Sequence, residues 1–518
     1  MVNHEVSRRK FIQLMAGTSA LMFFDRFSRL TTYAQSTLEP VFGGEIRIAV
    51  VDGISTFDPA TLLNQSDMLG NILLGDTLVT LDVTQPSLPI VPRLAESWST
   101  SEDDLTWTFN LRKGVKFHNG LDFTSADVVY TYNRLMDENI GSLLGSLLTS
   151  VNEVVAIDTH TVEFRLSQPH HTLVDTMWDP TASIVQNGRS DEELATTPIG
   201  TGPFIIGENI PDESVTFVRN EAYWNAPLPY LDTIQYRIIP DPTSQVAALA
   251  VGDVDILYQV SPTNIPILQA NPNVNIVQSP AGFWFGFEML TFEPPFNDVR
   301  VRKALKMATN REAIRQVFAS GDGYSGNDHP ISPASPYWDG IEAPAQDIEG
   351  AKALLAEAGY PDGIDITLTI ADLFPGLVNA GVVLQESLLP AGIRIEIERV
   401  PANLYWAEYW GQVPFGVQWW SNIGEPETNL SLLFTSDAIF NVTGWANADF
   451  DALIKQIRAT ENPEERKPLY AEAQRILSEE GALIIPLHAD AYMAKRKDVM
   501  NLLPEQIGIF QNLIWKQP

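Results

Sequence analysis

The sequence predicts an α/β protein of two or three lobes, and three observations lead there. At 518 residues the chain exceeds the ~250–300 residues at which a single core stops growing. Its hydrophobic fraction of 45%, with 12 Trp, 14 Tyr and 24 Phe, supplies large cores and excludes disorder. Strand-like and helix-like segments then alternate along most of the chain.

GGEIRIAVV (43–51) alternates and is β-branched, which predicts a strand. DLTWTFNL (104–111) puts Leu105, Trp107, Phe109 and Leu111 on one strand face. Asn119-Gly120 is a tight-turn pair, and Thr124 with Asp127 three residues on opens a helix as a capping box. IQYRII (234–239), a helix from Pro242 to Val251 stopped at Gly252, and VDIL (254–257) form a βαβ pattern. VRVRKALKMA (299–308) gathers Val301, Ala304, Leu305 and Ala308, and Asn310 caps a second helix through Phe318. The segment 347–359 predicts a helix ended by Gly359 and Pro361. IRIEIERV (393–400) alternates, and Asn462-Pro463-Glu464-Glu465 opens a helix that runs to Gly481.

Charge and cysteine content narrow the function. A formal net charge of -32 argues against a nucleic-acid partner, because phosphates would repel the chain. Zero cysteine rules out disulfides, thiolate metal sites, a cysteine nucleophile and a lipid-bearing cysteine. At the N-terminus, Arg8 and Arg9 in SRRKFIQ precede an apolar run from Leu14 to Phe24 that is too short to span a bilayer. This resembles a twin-arginine export signal, with cleavage expected after Ala34. The expectation is a periplasmic mature chain with no membrane insertion.

Catalytic and metal motifs fare poorly. GTGPFIIG (200–207) lacks a clear preceding strand and has Pro203 where a phosphate-binding helix would start. Adjacent His170 and His171 point apart, so they cannot grip one metal from a regular element. GDGYSGND (321–328) lacks the oxygen spacing of a calcium loop. No catalytic residue, metal site or cofactor is assigned. The alternative function class is a secreted, glycosidase-like hydrolase using a carboxylate pair, but among 65 acidic residues no pair is singled out.

What stands out is QWWSNIGEPETNL (418–430), preceded by Trp406 and Trp410. Four tryptophans within fifteen residues of otherwise loop-like sequence, next to polar groups, favour the wall of a closable cleft that stacks on a small molecule.

Several stretches resemble the extracellular solute-binding protein family 5, the peptide, nickel and opine-type receptors of ABC importers. They are LAESWSTSEDDLTWTFNLRKGVKFHNGLDFTSADVVYTYNRL (94–135), PIGTGPF (198–204), NEAYWN (220–225), PYLDTIQYRII (229–239), ALAVGDVDIL (248–257) and PPFNDVRVRKALKMATNREAI (294–314). The resemblance implies a bilobal periplasmic-binding-protein fold of the cluster C type, with an additional subdomain and a hinged interlobe cleft. Lobe I would comprise 43–82, 199–284 and 489–518, the subdomain 83–198 and lobe II 285–488. The expected partners are a small solute and an inner-membrane ABC permease, and the expected state is a monomer.

The ligand-binding residues implied on this footing are Trp406, Trp410, Trp419, Trp420, Asn422, Trp284 and Glu288, with Phe57 and Asp58 from lobe I. In peptide-binding relatives an Asp at the position of Asn422 pairs with the ligand's α-ammonium. An amide there weakens a charge-assisted bond worth ~1.5–3 kcal/mol, which favours neutral polyhydroxylated, opine-like or blocked-peptide ligands. Glu288 stands where relatives carry Asn, sharing a strand face with Trp284 and Gly286. It either lines the cleft and meets a cationic ligand group, or pairs with Arg300 or Arg302.

Overall fold

The computed structural model describes residues 38–517 apart from 63, 86–87, 423 and 505–508. The leader, with Arg8, Arg9 and the cleavage site after Ala34, lies outside the described residues.

A nine-stranded sheet forms the spine. Its order is Phe415–Ser421, Val274–Met289, Leu483–Arg496, Ile256–Leu257, Glu45–Val50, Thr233–Ile238, Ser214–Arg219 and Phe204–Ile210, with Tyr324–Ser325 added beside Leu483–Arg496. The βαβ reading holds, with the returning strand shortened from 254–257 to Ile256–Leu257. Glu45–Val50 lies between the two other strands and pairs in parallel with both. The connecting helix Pro242–Val251 is capped by the Asp241 carboxylate, 2.7 Å from the Ser244 amide, and ends at Gly252 with φ 87°.

A four-stranded antiparallel sheet runs Ala95–Thr100, Thr106–Leu111, Thr161–Leu166, Val151–Asp158. Trp107, Phe109 and Leu111 are buried together, as the alternation requires. The helix Ser125–Leu135 covers this layer, and the Thr124 amide donates to the Asp127 carboxylate at 2.8 Å. Gly200 and Gly202 serve packing. A Cβ on Gly202 would lie 2.5 Å from the carbonyl carbon of Leu74. Gly202→Ala is therefore expected to lower stability by about 2–3 kcal/mol, read as a lower urea midpoint.

The cores divide the chain into two bodies. One core joins Ile46, Leu73, Phe217 and Tyr236 with Phe109, Tyr132 and Phe164, so the 83–198 segment shares a continuous interior with the strands around it. Two further cores use residues from Trp284 to Ala489, around the helices Val299–Ala308, Leu377–Leu388, Ala448–Ala459 and Pro463–Glu480. Two strands cross between the bodies. Val274 and Ile276 pack in a small core with Leu249 and Leu257, whereas Phe285 and Phe287 of the same strand belong to the second body. The partner strand Leu483–Arg496 crosses in the opposite direction beside it.

Candidate functional site

The crossing is marked by a break in register. Ser279 pairs with Ala491 and Phe283 with Ala489, so the intervening residues on one strand have fewer opposite them. Ala281 sits at φ 50°, an uncommon conformation for a side chain with a Cβ. Neighbours on both sides hold it. The Asp490 carboxylate accepts the Ala281 amide at 2.8 Å and the Gln278 side-chain amide at 2.6 Å. From the other side, Asn422 donates its side-chain Nδ2 to the Ala281 carbonyl and to His488 Nδ1, both at 3.1 Å, while its backbone amide donates to the Gly282 carbonyl at 3.0 Å. The donor end of Asn422 is thus spent inside the protein, and only its carbonyl oxygen is left for a solute. Burial, with the Asp322 carboxylate adding to it, pushes the Asp490 carboxyl upward against the hydrogen bonds from Ala281 and Gln278.

Two of the four tryptophans, Trp419 and Trp420, point to opposite faces of one strand. Phe415–Ser421 is regular, pairing Trp284 with Trp420 and Phe285 with Trp419. Trp419 is 38% exposed and sits edge-on to Phe283 and Phe374 at centroid distances of 6.4 and 6.2 Å. Trp420 turns the other way, donates its indole N–H to Gln418 at 2.9 Å and meets Phe440 at 5.0 Å. From Phe440 the contact continues to Trp410 at 5.8 Å, and Trp410 in turn meets Trp406, which is 43% exposed, at 5.4 Å. The run Trp406–Trp410–Phe440–Trp420 is therefore a connected strip of rings. Phe440 donates its amide to the Leu432 carbonyl, and Leu432 packs against cores of both bodies. Sequence spacing missed Phe440, which stands alone in an aperiodic loop, and also Phe283 and Phe374. Asp490 and His488 were legible in principle, as a charge and an imidazole inside the otherwise apolar LIIPLHADAYMA.

Four of the expected ligand residues are buried or half-buried. Trp284 is fully buried: its ring lies over Gly286, with Cζ3 3.5 Å from where a Cβ would stand, and packs into the helical core. Asp58 is 3% exposed and holds Arg134 through two bonds of 3.1 and 2.7 Å, while also capping the turn at Ala60. It joins the 83–198 segment to the main sheet and has no free face. Phe57 is half-buried against the same core. Glu288 is fully buried and meets neither arginine. Arg300 is spent on Asp298 and the Glu357 carbonyl, and Arg302 on the carbonyls of Phe296 and Glu480. Glu288 instead accepts the Trp410 indole N–H at 3.1 Å.

Where the bodies touch away from the shared strands, the seam is ionic. The buried Glu427 accepts from Arg458 at 2.6 Å, from Thr172 at 3.2 Å and from Ser431. Burial opposes its ionisation, but the Arg458 guanidinium, helped by the Ser431 hydroxyl, outweighs that and holds its carboxyl below the ordinary range. Glu425 accepts from Arg466 at 2.8 Å and Tyr470 at 2.6 Å. Asp175 faces this group from the 83–198 side. Burial pushes its carboxyl up, the Glu425 and Glu427 carboxylates add to the effect, and Arg466 opposes it, leaving it at about 8. A raised acid is most favourable while protonated. Its contribution is complete at low pH, where folded and unfolded forms are both neutral, and is lost progressively as pH rises from roughly 4 to about 8. Asp175→Asn is expected to gain melting temperature on wild type across that window. Parallel melting curves would contradict the acid-on-acid contact.

Among the described residues no helix is long and apolar enough to cross a membrane. Residues 89–441 match the model of the bacterial extracellular solute-binding proteins, family 5. Heme-binding protein A of Haemophilus influenzae is 30% identical over 440 residues, covering 78% of this chain and 80% of that protein. The dipeptide-binding protein of Escherichia coli is 27% identical over 463 residues, covering 81% and 84%. The periplasmic binding protein DppA of Helicobacter pylori, in complex with the peptide STSA, superposes with TM-score 0.82 at 25% identity, covering 92% of this chain and 99% of that one. All of these are binding proteins by name. A bilobal fold crossed by two strands, the family match through most of its length and the breadth of these likenesses make this chain a member of family 5 of the bacterial extracellular solute-binding proteins, the substrate-binding components of ABC importers.

Proposed function

We propose that the mature chain captures a small polar organic solute between its two lobes and hands it, unchanged, to an inner-membrane ABC permease. The observation that carries this reading is the aromatic strip Trp406–Trp410–Phe440–Trp420 beside the seam, with Trp419 exposed on the opposite strand face. Ring faces and edges bind organic solutes by area and quadrupole, without charge. Lobe I is taken as 43–82, 199–284 and 489–518, the subdomain as 83–198 and lobe II as 285–488, with the hinge at the bulge 279–283 that Asn422 and Asp490 bracket. Export by the twin-arginine route to the periplasm, and a monomeric state, complete the proposal.

Relatives whose names specify heme, dipeptides and glutathione, and a neighbour holding agropinic acid, span unlike chemistries. Within that range, Asn422 supports a solute without an α-ammonium anchor at this position. Melting curves with the dipeptide Met-Leu, its N-acetyl derivative, glutathione and an opine test this directly. A binder at 100-fold over its Kd adds about 2.7 kcal/mol. The N-acetyl peptide is expected to match or exceed the free one. A strong preference for the free amine would defeat the neutral-solute reading, and turnover of any of these compounds would defeat the transport reading.

A further inference from the structure

Glu288 is a carboxyl with no exposure and no cation beside it. Burial pushes it up to about 8, and the Gly411 amide and Trp410 indole offset this only in part. Among the described residues its Oε1 has no hydrogen-bond partner at full hydrogen-bond geometry. A group this costly in an apolar setting calls for a compensating role.

Its one side-chain contact leads to the aromatic strip. Trp410 directly follows a single π-helical turn, Tyr405–Tyr409, and its amide closes that turn on the Tyr405 carbonyl at 2.9 Å. Such turns insert one extra residue and re-aim the side chains around them. This one has an anchor at each end. At the first, the Tyr405 hydroxyl donates to the Val417 carbonyl at 2.9 Å and accepts the Val417 amide at 2.6 Å. At the second, Trp410 is held by Glu288. Between them Trp406 projects outward, edge-on to both Tyr405 and Trp410. Gly416, paired with Glu288 across the strands, leaves room for both anchors. A Cβ there would stand 2.9 Å from the Tyr405 hydroxyl and 3.1 Å from Glu288 Oε1.

We infer that Glu288 is a positioning residue: through the Trp410 indole it fixes the π-turn that presents Trp406 and the aromatic strip to the solute. The inference rests on the strip being the solute-facing wall. It replaces direct contact between Glu288 and a ligand cation with action through another side chain.

The test uses the full mature chain labelled with 15N-tryptophan, whose indole signals for Trp406 and Trp410 are assigned by Trp406→Phe and Trp410→Phe. Glu288→Gln keeps a carbonyl acceptor, so both signals are expected to stay close to their wild-type positions. Glu288→Leu is expected to move both, Trp406 included although it never touches Glu288. Gly416→Ala should reproduce that pattern with Glu288 intact. A merely structural Glu288 would lower the melting temperature and leave the Trp406 signal in place. Unmoved signals in Glu288→Leu overturn the positioning role. Binding is read separately with N-acetyl-Met-Leu, where Glu288→Leu is expected to weaken affinity about five- to tenfold and Glu288→Gln to restore it. Moved signals combined with wild-type probe affinity in Trp406→Ala would retain the positioning of the turn and reject the aromatic strip as the wall.

Discussion

Glu427→Ala is expected to cost about 3–5 kcal/mol and to unlatch the two bodies. The residue is 1% exposed, and its carboxylate, carried on the helix Pro426–Leu433, meets Thr172 of the 83–198 segment and Arg458 of the helix Ala448–Ala459. Its removal leaves the largely buried Arg458 guanidinium without its anion, beside a His170 that burial already keeps neutral, with its pKa pushed down to about 4. Thr172 and Ser431 lose their acceptor at the same time. Because the contact bridges the bodies, the loss should appear in shape as well as in stability. A lower denaturant midpoint is expected together with a larger radius of gyration by solution scattering. Glu427→Gln retains an acceptor for the hydroxyls but not the charge, and should fall between. An alanine variant with wild-type midpoint and unchanged dimensions would mean that the seam contributes nothing to closure.

The second large effect is expected at Asp76, which is fully buried and receives four donors: Arg93 at 2.5 Å, Trp224 at 2.8 Å, Thr201 at 3.0 Å and Tyr223 at 3.1 Å. These come from three separate stretches of chain, around Arg93, Thr201 and the adjacent Tyr223 and Trp224, so one carboxylate ties them together. Asp76→Ala strands the Arg93 guanidinium in the interior, at a cost of about 3–5 kcal/mol, enough to deplete soluble protein. Asp76→Asn keeps the size and some hydrogen bonds but still leaves Arg93 uncompensated, so it should be only slightly milder. The exposed pair Glu349–Lys352 has the same 2.8 Å separation as the largely buried pair Arg466–Glu425. Glu349→Ala should nevertheless leave the midpoint unchanged, because solvent screens that pair. Equal effects at Asp76 and Glu349 would show that burial is not what sets the magnitude.

The local elements were legible in the chain because their causes are local. Thr124 with Asp127, Asn310, Asn462 and Gly252 satisfy helix-end groups within a few residues of themselves, and each bounds the helix expected of it. The alternation of TWTFNL and IRIEIER fixed which faces are buried, since a strand's side chains can only alternate. Trp419 and Trp420, however, belong to a strand and not to a loop, because their environment is set by Val274–Met289, more than a hundred residues away.

What the sequence alone determined was the α/β class, the family resemblance, the elements bounded by local caps or clean alternation, and the existence of an aromatic-rich segment. The tertiary structure decided which of those residues face outward. It buried Trp284 over Gly286, spent Asp58 on Arg134 and turned Glu288 onto Trp410. It also brought Phe440 into line with three tryptophans. The physical reason is range. Caps, turns and alternation are settled within one or two turns of chain, whereas exposure and partnership of a side chain depend on what distant segments lay across it.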